Sequence, residues 1–171
     1  QVVAYRRLAD NSIDRVKLPT DAKTTTRNLT DIHTTGVELT AAYNPNRKVL
    51  KAITASYTYQ TQDKSSNEYI SMYVLDYLTY KGTLSGTIGL AKDLSLNVRG
   101  CYQDRKGTYT NPNGVEVAYS PFFTLDAKLM YTYRAFSIFA EASNVLGERY
   151  YDLGNIPQPL RWFKGGIAVT F

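Results

Sequence analysis

The chain has 171 residues, 43% hydrophobic and 20% charged, which sets it apart from disordered and low-complexity sequences and fits about one domain. Its net charge of +5 comes from 20 basic and 15 acidic residues, scattered in pairs such as Arg6-Arg7, Arg47-Lys48 and Arg105-Lys106. A nucleic-acid binder gathers its cations in a patch or stripe, so nucleic acid is not an expected partner.

Helical periodicity is poor, whereas period-2 alternation recurs from one end to the other. A first strand-like stretch runs through 2–18, with a bulge or break expected around Asp10-Asn11-Ser12. In 36–43, Val37, Leu39, Ala41 and Tyr43 alternate with Glu38, Thr40 and Ala42. In 50–60, Ile53, Ala55, Tyr57 and Tyr59 alternate with Thr54, Ser56, Thr58 and Gln60. In 78–90, Leu84, Ile88 and Leu90 alternate with Lys81, Thr83, Ser85 and Thr87. In 94–103, Leu94, Leu96, Val98 and Tyr102 oppose Ser95, Asn97, Arg99 and Gln103. In 123–133, Leu125, Ala127, Leu129, Tyr131 and Tyr133 oppose Thr124, Asp126, Lys128, Met130 and Thr132. Phe136, Ile138, Ala140 and Ala142 then alternate with Ser137, Phe139, Glu141 and Ser143. In 161–171, Phe163, Ile167, Val169 and Phe171 share a face, with Arg161 at its outer end, opposite Trp162, Lys164, Ala168 and Thr170. The expectation is about eight antiparallel strands.

A β-sandwich also alternates, so the connections have to help decide. Short links at 44–48, 91–93 and 133–135 alternate with longer polar ones at 19–27, 61–77, 104–120 and 148–160. That is the rhythm of an outer-membrane barrel, with short turns on one side and long loops on the other. No run of about 18 apolar residues is present, but a β-span does not need one. The 15 tyrosines agree. Tyr43, Tyr57, Tyr59, Tyr102, Tyr131 and Tyr133 fall on the apolar face, mostly near strand ends, where an aromatic girdle meets the bilayer interfaces. The fold class expected is therefore all-β, antiparallel, up-and-down transmembrane barrel strands. A complete eight-stranded barrel and a soluble β-sandwich or lipocalin-like binder remain as competitors.

Particular segments add a resemblance. Ser143-Asn144-Val145-Leu146-Gly147-Glu148-Arg149-Tyr150-Tyr151-Asp152 resembles the N-L-F-x-x-x-Y-x-D signature of TonB-dependent outer-membrane receptors, with Val145-Leu146 for Leu-Phe. Thr35-Gly36-Val37-Glu38-Leu39 is similar to that family's G-V-E strand and Ala55-Ser56-Tyr57-Thr58-Tyr59 to its S-Y-T-Y strand. Arg161 to Phe171 resembles its closing strand with a terminal aromatic. The resemblance implies that 1–171 is the C-terminal segment of a barrel of about 22 strands, with the plug domain and earlier strands outside this sequence. Gly154-Asn155-Ile156-Pro157-Gln158-Pro159-Leu160-Arg161-Trp162-Phe163 resembles cobalamin receptors of Bacteroides-type bacteria, while siderophore receptors share the scaffold. The function implied is import of a scarce nutrient across the bacterial cell outer membrane with TonB-coupled energy. Implied partners are outer-membrane lipid, the receptor's own plug and remaining strands, TonB through the plug, the barrel assembly machinery and, optionally, a surface lipoprotein.

No catalytic constellation is visible, and neither enzyme activity nor a cofactor is expected. His33 is the one histidine and Cys101 the one cysteine, so no disulfide or cysteine-rich metal site can form within the chain. Both residues are expected to be ordinary parts of the wall. Candidate ligand contacts are loop residues: Tyr69, Tyr73, Tyr109, Tyr119, Tyr151, Asn155, Gln158 and Arg161. Tyrosine suits this work because it offers a large rigid face and a hydroxyl, though rings in loops also order the loops themselves. Ile167, Val169 and Phe171 are the expected assembly signal. Lys81, Arg99, Asp126, Lys128 and Glu141 either pair across strands or face the plug.

Overall fold

A strand's backbone groups need partners, so a run of alternating segments folds by pairing each with its neighbour. The computed structural model describes residues 1–10, 12–17, 23, 25–28, 31–45, 47–64, 70–71, 77–111, 113–152 and 156–170. In chain order the strands are β1 (Val2–Ala9), β2 (Ile13–Lys17), β3 (Thr25–Asn28), β4 (Ile32–Tyr43), β5 (Leu50–Lys64), β6 (Ile70–Ser71) and β7 (Leu78–Ala91). They continue as β8 (Leu94–Arg105), β9 (Thr108–Thr110), β10 (Glu116–Ala118), β11 (Phe122–Tyr133), β12 (Phe136–Ser143) and β13 (Trp162–Val169). Among the described residues there is no helix.

Eight strands form one sheet in the order β1-β4-β5-β7-β8-β11-β12-β13, each antiparallel to the next. This is an up-and-down meander, and its members are the eight alternating stretches of the sequence. The sheet is open: β1 and β13 are its edges.

Two expectations need correction. The stretch 2–18 does break between Ala9 and Ile13, as expected, but its two parts do not share a sheet. β1 joins the large sheet, whereas β2 belongs to a separate three-stranded sheet ordered β3-β2-β6. The chain leaves the wall after Ala9, and Val16, 1% exposed, is buried in the smaller sheet instead. Second, β4 starts at Ile32 rather than 36, and β5 runs to Lys64 rather than 60. Their extra residues pair as Ile32 with Lys64, His33 with Asp63, Thr34 with Gln62 and Thr35 with Thr61. These residues are largely polar on both faces, so the hydrogen-bonded ladder continues where hydrophobic alternation has ended. The long links are also partly structured, since 104–120 holds the β9–β10 hairpin.

Among the described residues, none forms a second layer over the apolar face. Phe163 is 72% exposed and Ile167 69%, and Leu84 and Ile138 are also exposed. A soluble sandwich would bury this face against another sheet. Among the described residues the buried hydrophobic side chains are only Val16, Ile32, Cys101, Tyr119 and Phe122. The tyrosines fall in two bands across this face. Tyr57 and Tyr102 flank Gly82, Tyr59 pairs with Tyr80, and Phe123 pairs with Tyr102, all toward the long links. Tyr43, Tyr131, Tyr133 and Phe136 lie at the short-turn end. On β11 the bands run from Phe123 to Tyr133, roughly 34 Å along the strand at ~3.4 Å per residue. Tilted strands with that separation bracket an apolar band about 25 Å tall.

Candidate ligand-binding rim

Because neighbouring strands are antiparallel, all the long links leave the same end of the sheet. Residues distant in sequence therefore meet there. β8 delivers Arg105, the β9–β10 hairpin delivers Tyr109, and Tyr119 follows it. β11 begins with Phe122, and the last link carries Tyr150, Tyr151 and Asp152.

These side chains form one aromatic cluster. The Tyr109 ring stacks on Tyr151 at 4.6 Å and meets Tyr119 at 5.2 Å. Phe122 stacks on Tyr150 at 4.1 Å. Such pairs prefer offset or tilted geometry and add about 0.5–1.5 kcal/mol each beyond area burial. The Arg105 guanidinium lies over the Tyr119 ring at 5.8 Å and donates to Asp152 Oδ1 at 3.0 Å. Burial, and then the carboxylate of Asp152, push the Tyr150 phenol above its ordinary range. The cluster encloses a cavity of about 110 Å³ lined by Tyr109, Tyr119, Phe122, Tyr150 and Tyr151, among others. That space holds a few waters at ~30 Å³ each. A bulky ligand has to meet the cluster's outer surface.

The last link is anchored at its root by Asn144, which is buried and takes a positive φ of 49°. Its side-chain oxygen accepts the Glu148 N–H at 3.0 Å, and its amide donates to the carbonyls of Glu148 and Pro159 at 2.9 and 3.2 Å. Its own N–H donates to Asp126 Oδ1 at 2.9 Å. From the returning side, Arg161 donates to the carbonyls of Val145 and Leu146 at 2.9 and 3.3 Å. The signature 144–152 is therefore a set of ties. Asn144 closes the turn, Tyr150 packs on β11, and Asp152 holds the end of β8.

Of the residues expected to touch ligand, Tyr109, Tyr119 and Tyr151 come together in the cluster. Tyr119 and Phe122 are buried within it, whereas Tyr109, Tyr150 and Tyr151 are half-buried. Gln158 follows Pro157, which bridges to Tyr151, and the Gln158 N–H donates to the Tyr150 carbonyl at 3.0 Å. Arg161 is exposed and engaged with the 145–146 backbone. Tyr69, Tyr73 and Asn155 lie outside the described residues, as does Phe171 of the assembly signal. Ile167 and Val169 stand exposed on the apolar face of the edge strand. Phe122 and Arg105 were not anticipated. The available signal was Phe122 itself, an apolar residue on the polar face of its strand.

Among the described residues, the polar face carries an ionic group across β11, β12 and β13. Glu141 sits between Lys164 at 2.8 Å and Lys128 at 3.8 Å. Lys128 and Glu141 are directly opposed in register, so this pair is the cross-strand arrangement expected. Asp126 instead serves Asn144. Cys101 is buried and unbonded to another cysteine, opposite Thr124 on one side and Thr83 on the other. Among the described residues no three His, Cys, Asp or Glu side chains gather where a metal ion could be held.

Comparison with known proteins agrees with this architecture. Residues 1–145 match the family model described as TonB dependent receptor-like, beta-barrel. No curated protein matches the chain. Among solved structures, the copper transporter OprC superimposes with a TM-score of 0.74 at 15% identity, over 99% of this chain and 28% of that one. The FrpB iron transporter from Neisseria meningitidis gives 0.72 at 16% identity, over 99% and 28%. The ferric-catecholate import receptor Fiu from E. coli K12 gives 0.71 at 18%, over 99% and 25%. The chain thus spans little more than a quarter of the length of these structures, and at such identities the likeness is one of fold. The family match covers most of the chain: it belongs to the TonB-dependent receptor-like β-barrel family, outer-membrane proteins of Gram-negative bacteria.

Proposed function

We propose that this chain is the C-terminal part of a receptor that binds a scarce, bulky nutrient outside the cell and imports it with TonB-coupled energy. A plug domain and further strands complete the barrel in this reading. No covalent chemistry is involved. The wall is a rigid frame, and the loops at its long-link end grip the cargo. The observation that supports it is the aromatic cluster, which joins the 104–120 and 148–160 links through the Tyr109–Tyr151 stack. Rings fixed in this way give a ligand a large surface without further ordering cost.

Two cargoes compete. The resemblance of 154–163 to cobalamin receptors favours cobalamin. The solved relatives named as iron and ferric-catecholate receptors favour an iron complex. The test uses the full receptor, titrated with cobalamin and with a ferric catecholate. Replacing 148–160 by a short Gly/Ser link is expected to weaken binding of the true cargo at least tenfold. Tyr109→Ala with Tyr151→Ala is expected to do so by several-fold. Unchanged affinity for both ligands in both variants would remove the rim assignment.

A further inference from the structure

The short-turn end of the wall is as basic as the long-link end is mixed. β4 turns into β5 through 44–49, β7 into β8 through 92–93, and β11 into β12 through 134–135, all at one end of the sheet. These turns and their flank carry Arg47, Lys48, Lys51, Lys92 and Arg134 against a single acid, Asp93. All six are exposed, and among the described residues none of the five cations makes an ion pair. At the other end, the described residues of 10–31, 104–120 and 144–161 together include seven acidic and eight basic ones.

The cations also lie next to the lower aromatic band. Arg134 stands over the Tyr133 ring at 5.2 Å, and Tyr133 pairs with Phe136 on the apolar face. Its guanidinium is thus held on the side that meets lipid. Arg134 occupies a left-handed backbone position, φ 51°, where a two-residue hairpin ordinarily places Gly, Asn or Asp. Tyr43 enters the 44–49 turn from the same face. Interfacial rings sit at headgroup depth, so cations just beyond them stand level with lipid phosphates.

We propose that this end of the wall is a binding rim for anionic phospholipid headgroups of the leaflet its short turns enter. Arg134 with Lys92, and Arg47 with Lys48 and Lys51, form two clusters that take phosphate oxygens while Tyr43, Tyr133 and Phe136 line the acyl chains below. The inference rests on the outer-membrane barrel reading but not on any cargo. A rim of this kind fixes the depth of the barrel and selects its lipid neighbours.

The test uses the full-length receptor carrying this chain, reconstituted in phosphatidylethanolamine vesicles. Spin-labelled phosphatidylglycerol and spin-labelled phosphatidylcholine are compared as probes of the immobilised lipid shell. The native receptor is expected to prefer the anionic probe about fivefold, the scale of one well-placed cation. Salt at about 0.5 M is expected to reduce the preference. The combined variant R47Q/K48Q/K51Q/K92Q/R134Q loses it, whereas K23Q/K106Q at the opposite end keeps it. If the combined variant does not insert, Arg134→Gln and Lys48→Gln are measured singly, and each lowers the ratio. Equal retention of both probes by the native receptor overturns the proposal, as does an undiminished preference in the combined variant or in both single ones. Titration of cobalamin and a ferric catecholate on the same vesicles separates the two readings. Failed ligand binding with intact lipid preference counts against the transport proposal alone.

Discussion

Tyr5 lies across Gly36 on the neighbouring strand: a Cβ at position 36 would sit 2.5 Å from its phenol ring. Beyond the glycine, the Tyr5 hydroxyl donates to Gln60 Oε1 at 2.9 Å. Tyr5, Gly36 and Gln60 stand in one row across β1, β4 and β5. The glycine of the Thr35-Gly36-Val37-Glu38 segment is thus a seat for a ring, which covers the bare backbone and pins the register of an edge strand.

Gly36→Ala is expected to displace Tyr5 and break its bond to Gln60, destabilising β1 by about 1–3 kcal/mol, the cost of overpacking. Tyr5→Phe keeps the cover and loses only the hydrogen bond, about 1 kcal/mol. Thermal unfolding of the receptor should therefore rank native, Tyr5→Phe and Gly36→Ala in falling order. A Gly36→Ala receptor as stable as native would contradict the close approach.

Asn144→Ala removes three side-chain hydrogen bonds at a buried site and leaves a non-glycine residue at positive φ. The expected loss is roughly 2–4 kcal/mol, at about 1 kcal/mol per bond plus backbone strain. Asn144→Gly relieves the strain but not the bonds, so it should recover only part. Limited proteolysis of 148–160 reads the loosened link directly. Resistance equal to native in both variants would show that Asn144 does not anchor it.

Tyr150 gives the rim a pH dependence. Its folded-state pKa is raised by burial and by Asp152, so the neutral phenol is favoured in the packed cluster. The stability it contributes is fully present below the ordinary phenol value and is lost as pH rises through that value toward the raised one. Native receptor should therefore lose stability in the alkaline range more steeply than Tyr150→Phe, with the two parallel near neutrality. Parallel curves throughout would mean that the phenol is not desolvated. The absorbance change of phenolate formation, compared between the two proteins, reports the same shift.

The closing strand carries an expectation for assembly. Ile167 and Val169 are exposed on its apolar face, and Phe171 continues the same alternation in sequence. Deletion of Phe171, or Phe171→Asp, is expected to lower the folded fraction in the outer membrane several-fold, measured by heat-modifiable gel mobility. Normal assembly of both variants would separate this strand from the assembly signal.

Much of the wall was legible because its physics is local. Side chains two apart share a face, so Leu125 and Leu129, or Phe163 and Ile167, declared their side without any knowledge of partners. Strand pairing followed from chain order, since short turns join neighbours in a meander. Alternation failed where polar residues occupy both faces, at His33–Thr35 and Thr61–Lys64, and where an apolar residue sits on the polar side. Phe122 and Phe139 are such residues. Phe122 packs on Tyr150, and Phe139 lies over Gly166, within 2.8 Å of where a Cβ would stand, with the Lys128 ammonium 4.6 Å from its ring.

The sequence by itself determined the number of wall strands, their two faces and the rhythm of short and long connections, all consequences of a two-residue period and of turn length. Tertiary structure alone decided which loop tyrosines meet, that Arg161 reaches the 145–146 carbonyls, and that Arg134 stands over the Tyr133 ring. The first two relationships depend on the register between strands that are far apart in the chain. Register is set by the whole ladder of backbone hydrogen bonds, not by any one segment.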